Sequence, residues 1–559
     1  MKNKRRTHIT KVLAIALTLA MTSAALVSCG QSESGGNYKG NKNEYQMGDV
    51  NQNIAGDNRY ETNDGKMNTD ATAEEGYNTQ QYPNTEEYNH LTENGFKMVS
   101  ENPLSTFSTD VDTASYTNVR RMINEGWKID PDAVRTEEFI NYFKYNYEKP
   151  TDDAVSITTE LSYCPWNDEA KLMLVGLQAK EAEVEDVPTN LVFLIDVSGS
   201  MEDETKLPLV REAFSMLSGT LKPNDRISIV TYAGSDQVVL EGESGDNKDK
   251  ICDALDSLSA GGSTAGAAGI TTAYELAEKY FIEGGNNRVL LATDGDLNVG
   301  LSTEEELTAL IEEKRESGVF LSVLGFGMGN YKDNRLEALA DNGNGNYAYI
   351  DSLDEAERVL VTELSGTLFT VAKDAKVQVE FNPSNVSAYR LVGYENRLMN
   401  DEDFNDDTKD AGDIGSGQQV TALYEIIPTE DCLRSGKTSS IDLKYQSDDI
   451  RPELVEEGET KLDGELLTVS IRYKEPDAEQ SKLIKKAVLC DNYTAELPDN
   501  LRFACAVAEF SMILRNSEYV NGISAADILD DMEKNGYGDE DFIELVRTYV
   551  HGGDIGRDD

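Results

Sequence analysis

Three oxygen-bearing side chains, Asp196, Ser198 and Ser200, follow an apolar run at residues 191–195. This spacing lets one turning loop present a carboxylate and two hydroxyl groups to a common point. Hard divalent cations bind oxygen ligands of this kind, so the pattern indicates a metal site. A helix cap after a strand uses the same residue types. The pentapeptide alone therefore leaves a metal site and a cap as two open interpretations.

The segments around these residues alternate between strand and helix patterns. Two apolar runs, 191–195 and 289–293, end in Asp196 and Asp294, and such runs are typical of parallel strands covered on both faces. Strands and helices go on alternating over residues 188–372. This alternation predicts a doubly wound α/β domain with a mostly parallel sheet. Open sheets of this class bind ligands at the carboxyl ends of their strands, where both aspartates are expected to lie.

The pentapeptide 196–200 (DVSGS) resembles the DxSxS motif of von Willebrand factor type A (vWA) domains, where it begins the metal-ion-dependent adhesion site (MIDAS). In that family, a Thr in a later loop and an Asp at the end of a later strand complete the site. Here residues 261–266 (GGSTAG) supply Thr264, and residues 293–296 (TDGD) supply Asp294. The resemblance implies a divalent-metal site formed by Asp196, Ser198, Ser200, Thr264 and Asp294.

The partner and the ion follow from the chemistry of these ligands. Neutral hydroxyls outnumber carboxylates in the set, so the ion stays electron-poor and attracts one more anionic oxygen. The resemblance therefore implies a protein partner that supplies an acidic side chain to the metal. We expect Mg²⁺, although hydroxyl-rich octahedral sites also accept Mn²⁺ and Ca²⁺. Asp296 either supports the ligands from outside the coordination sphere or caps the next turn.

The first residues indicate the compartment. A basic start is followed by an uncharged, mostly apolar stretch at 12–27, which is the pattern of a secretory signal peptide over residues 1–28. Its ending, LVSC at 26–29, resembles a bacterial lipobox. The resemblance implies that Cys29 carries the lipid, such as palmitate, and anchors an extracytoplasmic protein to the bacterial cell membrane. The alternative is a transmembrane anchor, for which the apolar run is short.

Composition divides the rest of the chain. Residues 29–95 are polar with almost no aliphatic side chains, and we expect a disordered tether there. Residues 96–187 read as helices followed by strands, and 373–476 alternate as in an antiparallel β-sandwich. Strands from 155–177 are expected to complete this sandwich, which would make the α/β domain (188–372) an insertion. Residues 477–559 are predicted to be a C-terminal helical region, beginning with a helix at 483–489.

The resemblance extends beyond the metal motif. Residues 102–116 resemble the N-terminal region of a family of bacterial vWA lipoproteins. Residues 503–515 and 541–546 resemble that family's C-terminal domain of unknown function. The likeness covers about 102–550, and it implies no defined biochemical activity.

Charge and histidine content argue for binding rather than catalysis. The formal net charge is -52, which excludes nucleic acid as a main partner. The three histidines, His8, His90 and His551, all lie outside the α/β domain, so this domain cannot build a Ser-His-Asp or Cys-His arrangement. Two alternatives stay open. One is an envelope-complex scaffold whose metal is purely structural, and the other is a carboxylate-based hydrolase.

Overall fold

The structure is a computed structural model. It describes residues 85–552, except 110–111, 182–186, 263–265, 296–303, 330, 364–365, 367–368, 410, 430–463, 477 and 521. Cys29, Thr264 and Asp296 therefore lie outside the described residues. None of the helices in the described part of the chain is long and apolar enough to cross a membrane.

The chain begins with short strands, two helices and a β-hairpin. These elements are β1 (Lys97–Met98), β2 (Leu104–Ser108), α1 (Ala114–Asn124), α2 (Thr136–Tyr142), β3 (Val155–Tyr163) and β4 (Lys171–Ala179).

An alternating α/β segment follows. Its elements are β5 (Thr189–Asp196), α3 (Leu207–Thr220), β6 (Arg226–Tyr232), β7 (Asp236–Ser244), α4 (Lys248–Asp256), α5 (Gly266–Lys279), β8 (Asn286–Thr293), α6 (Glu304–Arg315), β9 (Phe320–Phe326), α7 (Asp333–Asn342), β10 (Tyr347–Ile350) and α8 (Leu353–Glu357).

Strands and then helices complete the chain. They are β11 (Thr370–Phe381), β12 (Val386–Val392), β13 (Gly412–Gly415), β14 (Gln419–Pro428), β15 (Glu465–Lys474), β16 (Lys482–Leu489), α9 (Asp499–Leu514), α10 (Ala525–Asn535) and α11 (Glu540–Gly552).

The α/β segment forms one six-stranded sheet in the order β10-β9-β8-β5-β6-β7. All its strand pairs are parallel except β6–β7. Alternate residues of β5 enter two different cores, with Val192 and Leu194 on one face and Leu191 and Phe193 on the other. Helices cover both faces, which explains why the run is apolar at every position. The predicted doubly wound sheet is confirmed.

Two antiparallel sheets pack on a shared core beside it. Their strand orders are β1-β12-β14-β4-β3 and β13-β11-β15-β16, with β2 added to β11. Strand β4 precedes the α/β segment and β14 follows it, yet the two strands pair along their length, for example Val175 with Ala422. The α/β segment is thus inserted between two strands of one sheet.

The C-terminal helices form a further core with the N-terminal ones. Phe510 and Phe542 from α9 and α11 are fully buried together with Val119 of α1 and Phe139 of α2. The predicted fold class, an α/β sheet flanked by an antiparallel β-sandwich and C-terminal helices, is therefore confirmed.

Two local expectations are corrected. The predicted helix at 483–489 lies in strand β16, which pairs antiparallel with β15. Its less exposed residues alternate along the strand, with Ile484, Lys486 and Val488 on the inner side, so the period is two rather than 3.6.

The predicted tether (29–95) also differs from the structure at its end. Residues 85–95 belong to the folded part of the chain. Glu86 is one of the residues that hold this segment, because its buried carboxylate accepts hydrogen bonds from Arg121, Tyr88 and the backbone of Gly329. The polar composition of this segment predicts disorder, whereas a few buried polar contacts keep it ordered.

Candidate metal centre

The two predicted aspartates meet at one edge of the α/β sheet. Asp196 is the last residue of β5, and Asp294 directly follows β8. These strands are parallel neighbours, so their carboxyl ends lie side by side. Both aspartate side chains are fully buried. The structure thus places two carboxylates of distant sequence position at the edge where such sheets bind ligands.

Hydrogen bonds orient the Asp196 carboxylate. Its Oδ1 accepts from the backbone N–H of Ser198 at 2.8 Å, and its Oδ2 accepts from the Thr293 hydroxyl at 3.3 Å. No lysine or arginine of the described residues forms an ion pair with it. Burial raises the pKa of Asp196 to about 6, and the nearby Asp294 carboxylate adds to the rise. Among the described residues, the negative charge of Asp196 is therefore stabilised by neutral hydrogen-bond donors alone.

The two serines share the loop after β5. Their Oγ atoms are 3.0 Å apart, with Ser198 buried and Ser200 exposed in a short 3₁₀ turn at Gly199–Glu202. The Ser198 hydroxyl therefore lies on the buried side, with the aspartates, and the Ser200 hydroxyl lies on the solvent side. This arrangement offers oxygen atoms to an ion from the open side of the sheet edge.

A second loop is docked against the serine loop. The N–H of Gly199 donates to the carbonyl of Gly262 at 3.1 Å, and the N–H of Gly261 donates to that of Val197 at 2.8 Å. Thr264 follows two residues after Gly262, although it lies outside the described residues. The contacts bring the segment that leads to Thr264 to the same edge as the serines.

Asp294 has a partner that the sequence did not reveal. The Lys206 ammonium donates to its Oδ2 at 2.9 Å, and both side chains are buried. Lys206 directly precedes α3 and is the one cationic residue among 197–206, which otherwise carry acidic side chains at 202, 203 and 204. The single lysine in an otherwise acidic loop is the one sequence feature that indicates this ion pair.

Backbone at residues 327–329 and 331–332 closes against the site. Gly295 has a φ of +93°, and a Cβ atom there would lie 2.6 Å from the backbone nitrogen of Lys332. Gly327 has a φ of +74°, and a Cβ atom there would overlap the aliphatic stem of Lys206. These two positions require glycine both for conformation and for space.

The described residues hold no group of three or more His, Cys, Asp and Glu side chains placed for a metal. The candidate centre does not need such a group, because it has two carboxylates and its other expected donors are hydroxyls. Among the described cysteines, Cys164, Cys252, Cys490 and Cys505 form no disulfide.

Family models and a known protein match most of this chain. Family models match at residues 82–174 (von Willebrand factor), 190–362 (von Willebrand factor type A domain) and 366–551 (uncharacterized protein YfbK, C-terminal). The chain is 44% identical over 453 residues to the uncharacterized protein YfbK of Escherichia coli (strain K12), covering 79% of this chain and 76% of that protein.

The chain belongs to the YfbK family of von Willebrand factor type A proteins. vWA domains are generally non-enzymatic modules of protein–protein interaction, and they commonly bind a divalent metal at a MIDAS. The resemblance found in the sequence is thus confirmed for the vWA domain and for the C-terminal domain.

Two further matches have lower identity or lower coverage. Human inter-alpha-trypsin inhibitor heavy chain H4 is 31% identical over 170 residues, which is 28% of this chain and 18% of that protein. A solved structure described as von Willebrand factor type A from Catenulispora acidiphila is 16% identical, with a TM-score of 0.40, over 72% of this chain and 91% of its own.

Proposed function

We propose that this protein binds a protein partner through a divalent cation held at the β5–β8 edge of its vWA sheet. The observation that carries the proposal is the meeting of Asp196 and Asp294, both fully buried, beside two hydroxyls only 3.0 Å apart. The ligands would be Asp196, Ser198, Ser200, Thr264 and Asp294.

The residues fit a divalent ion chemically. A buried carboxylate is costly unless a cation or strong donors compensate it. Asp196 has hydrogen-bond donors but no cationic side chain among the described residues, so a metal ion would supply the missing positive charge. Carboxylate and hydroxyl oxygens suit Mg²⁺ and Mn²⁺ better than zinc, which prefers nitrogen and sulfur. We therefore propose Mg²⁺ as the ion.

The exposed side of the site defines the binding step. Ser200 lies at the surface, whereas the carboxylates lie beneath it. A partner would therefore approach the ion from the serine side and complete its coordination with a carboxylate oxygen. The ion supplies Lewis acidity for this bond when bound, and the chain's own residues fix its position and exclude water from its inner side.

Calorimetry on the purified full-length chain tests the proposal. We expect the wild type to bind one Mg²⁺ and Asp196→Asn to bind none. Asp203→Asn is the matched control, because the Asp203 carboxylate is exposed on the same loop and accepts hydrogen bonds from the backbone N–H and the hydroxyl of Thr205, which is not a proposed ligand. It should bind Mg²⁺ as the wild type does. A wild type without Mg²⁺ binding, or an Asp196→Asn variant that retains it, would refute the proposal.

We further propose that Cys29 is lipidated and holds the protein at the outer side of a bacterial cell membrane. The support is the signal-like stretch 1–28 with its LVSC ending. Metabolic labelling with an alkyne analogue of palmitate should mark the wild type and fail to mark Cys29→Ser. Equal labelling of both proteins, or of neither, would contradict the anchor.

A further inference from the structure

We infer that strand β16 and its neighbours carry a docking surface for an extended, acidic polypeptide segment of a partner protein. The surface consists of apolar and cationic side chains of β16, β3, β4 and the turn after β16, and we call it the basic edge surface. Its members are Tyr163, Lys171, Leu483, Lys485, Leu489 and Tyr493. These residues belong to the antiparallel sheets, whereas the candidate metal centre lies on the α/β sheet.

Strand β16 is basic in a strongly acidic chain. The formal net charge is -52, yet residues 480–490 contain three lysines and no acidic residue. Lys482 pairs with Glu475, and Lys486 turns inward and donates to a carbonyl of β3 at 2.8 Å. Lys485 is exposed and forms no ion pair with the described residues. Its ammonium group is therefore available to a partner.

The outer face of β16 is apolar on both sides of this lysine. Alternate residues of a strand share a face, and the exposed ones here are Leu483, Lys485, Ala487 and Leu489. The two leucines are each 44% exposed, whereas Val488 on the opposite face is buried in the shared core. Covering the two leucines would remove apolar surface from water, which favours association.

Two tyrosines and a second lysine continue the surface beyond the end of β16. The N–H of Leu489 donates to the side chain of Asn492 at 2.7 Å, in the turn that leads to Tyr493. Tyr493 forms a β-bridge with β3, and its ring centre lies 5.0 Å from the Lys171 ammonium. Lys171 is the cross-strand partner of Tyr163, and it forms no ion pair with the described residues.

The exposed apolar side chains are thus concentrated here. Of the nine large apolar side chains that are exposed among the described residues, four belong to this surface: Tyr163, Leu483, Leu489 and Tyr493. Single exposed apolar residues are common on any protein, but a group of them beside polar residues is typical of an interaction site. Tyrosine is also enriched at protein–protein interfaces.

Charge and length define the partner's chemistry. Lys171 and Lys485 favour carboxylates, and lysines on an edge strand discourage pairing with neutral strands. The row from Leu483 to Leu489 spans about 20 Å, since a strand rises about 3.3 Å per residue. An extended segment that alternates apolar and acidic residues matches both features. An anionic membrane is a poorer match, because the chain as a whole is strongly acidic.

Fluorescence anisotropy on the full-length chain tests the surface, with a labelled nine-residue peptide that alternates valine and glutamate. EDTA is present throughout, so the peptide cannot bind through a divalent ion at the candidate metal centre. We expect the wild type to bind this peptide and not its counterpart with lysine in place of glutamate. About 0.5 M NaCl should weaken binding, because salt screens surface charges.

Variants locate the binding. Lys485→Glu should weaken it about tenfold, because an attraction is replaced by a repulsion. Lys128→Glu makes the same change at an exposed lysine between α1 and α2, and it should bind as the wild type does. Leu489→Ser should also weaken binding, whereas Leu353→Ser, at a leucine of α8 that is 38% exposed, should not. Equal unfolding temperatures would show that the variants are folded.

The outcomes separate this surface from the other proposals. Because EDTA is present, a failure of Mg²⁺ binding leaves the expected peptide binding unchanged. A wild type that does not bind the peptide, or a Lys485→Glu variant that binds it equally well, would overturn the inference. Two further results would overturn it in favour of another occupant. Binding to phosphatidylglycerol vesicles that Lys485→Glu abolishes, without peptide binding, would indicate a membrane, and a dimer in sedimentation that Lys485→Glu abolishes would indicate a second copy of the chain.

Discussion

Burial of Glu509 should make the protein less stable as the pH rises. The residue lies on α9 with 8% exposure, and its Oε1 has no hydrogen-bond partner among the described residues. It faces Asp531, and Cys505 and Tyr537 lie in the same cluster. Burial, followed by the Asp531 carboxylate, raises the pKa of Glu509 from 4.5 to about 8.

The direction and the magnitude of this change in the free energy of unfolding follow from the linkage between protonation and folding. A carboxyl group whose pKa is raised in the folded state contributes its full stabilisation when the pH is below its pKa in the unfolded state. That contribution is lost as pH rises from about 4.5 through about 8. At about 1.4 kcal/mol per pH unit, the loss is about 5 kcal/mol at most. Because the chain can relax and admit water once the group ionises, we expect about 2–5 kcal/mol.

Urea unfolding of Glu509→Gln at pH 5 and pH 9 measures this contribution. Glutamine stays neutral, so the variant should resemble the wild type at pH 5 and be more stable at pH 9. Glu496→Gln, at an exposed glutamate before α9, should show no such divergence. If the free energies of unfolding of Glu509→Gln and the wild type differ by the same amount at pH 5 and pH 9, Glu509 does not make stability depend on pH.

Two further substitutions test contacts that the sequence did not reveal. Arg390→Met should lower the free energy of unfolding by about 3–5 kcal/mol in urea, because it leaves the fully buried Glu425 carboxylate without its cation. Adding Glu425→Leu should recover part of that loss, and no recovery would contradict the pairing. Glu86→Gln weakens the ion pair with Arg121 (3.0 Å), so amide exchange at Thr85 should accelerate about tenfold by mass spectrometry. Unchanged exchange would show that Glu86 does not hold this segment.

The sequence predicts the sheet well because the sheet's signals are local. Residues 191–195 are apolar at every position since both faces of β5 are covered by helices. An aspartate at the end of such a run must lie at the sheet edge, and Asp294 follows the same rule after β8. Because β5 and β8 are neighbouring parallel strands, their carboxyl ends bring the two carboxylates together.

The features that the sequence did not predict depend on long-range pairs. Lys206 and Asp294 are 88 residues apart, and no periodic pattern connects a lysine in an acidic loop with one particular carboxylate. The segment at 85–95 reads as polar because a single buried side chain, Glu86, does not alter the average composition. The sequence of strand β16 does not distinguish a strand from a helix, because eight residues with three lysines give too short a pattern to separate a period of two from 3.6.

The geometry of the candidate metal centre depends on residues outside the vWA domain itself. The segment 327–329, which contacts the Lys206 stem at Gly327, is hydrogen-bonded to Thr85 and Glu86 through Gly329. On its other side α7 begins, and the Asp333 carboxylate there is bonded to buried Arg135 at 2.7 Å.

Both anchors come from the N-terminal region, before the family match at 190–362 begins. A fragment limited to that match would lose both anchors and keep the hydrogen bond from Tyr349 to Gly327, so the loop would hold the stem of Lys206 less firmly. Because a less firmly held Lys206 repels the ion less at Asp294, such a fragment should bind Mg²⁺ more tightly than the full-length chain in calorimetry, and equal affinities would contradict the role of the two anchors.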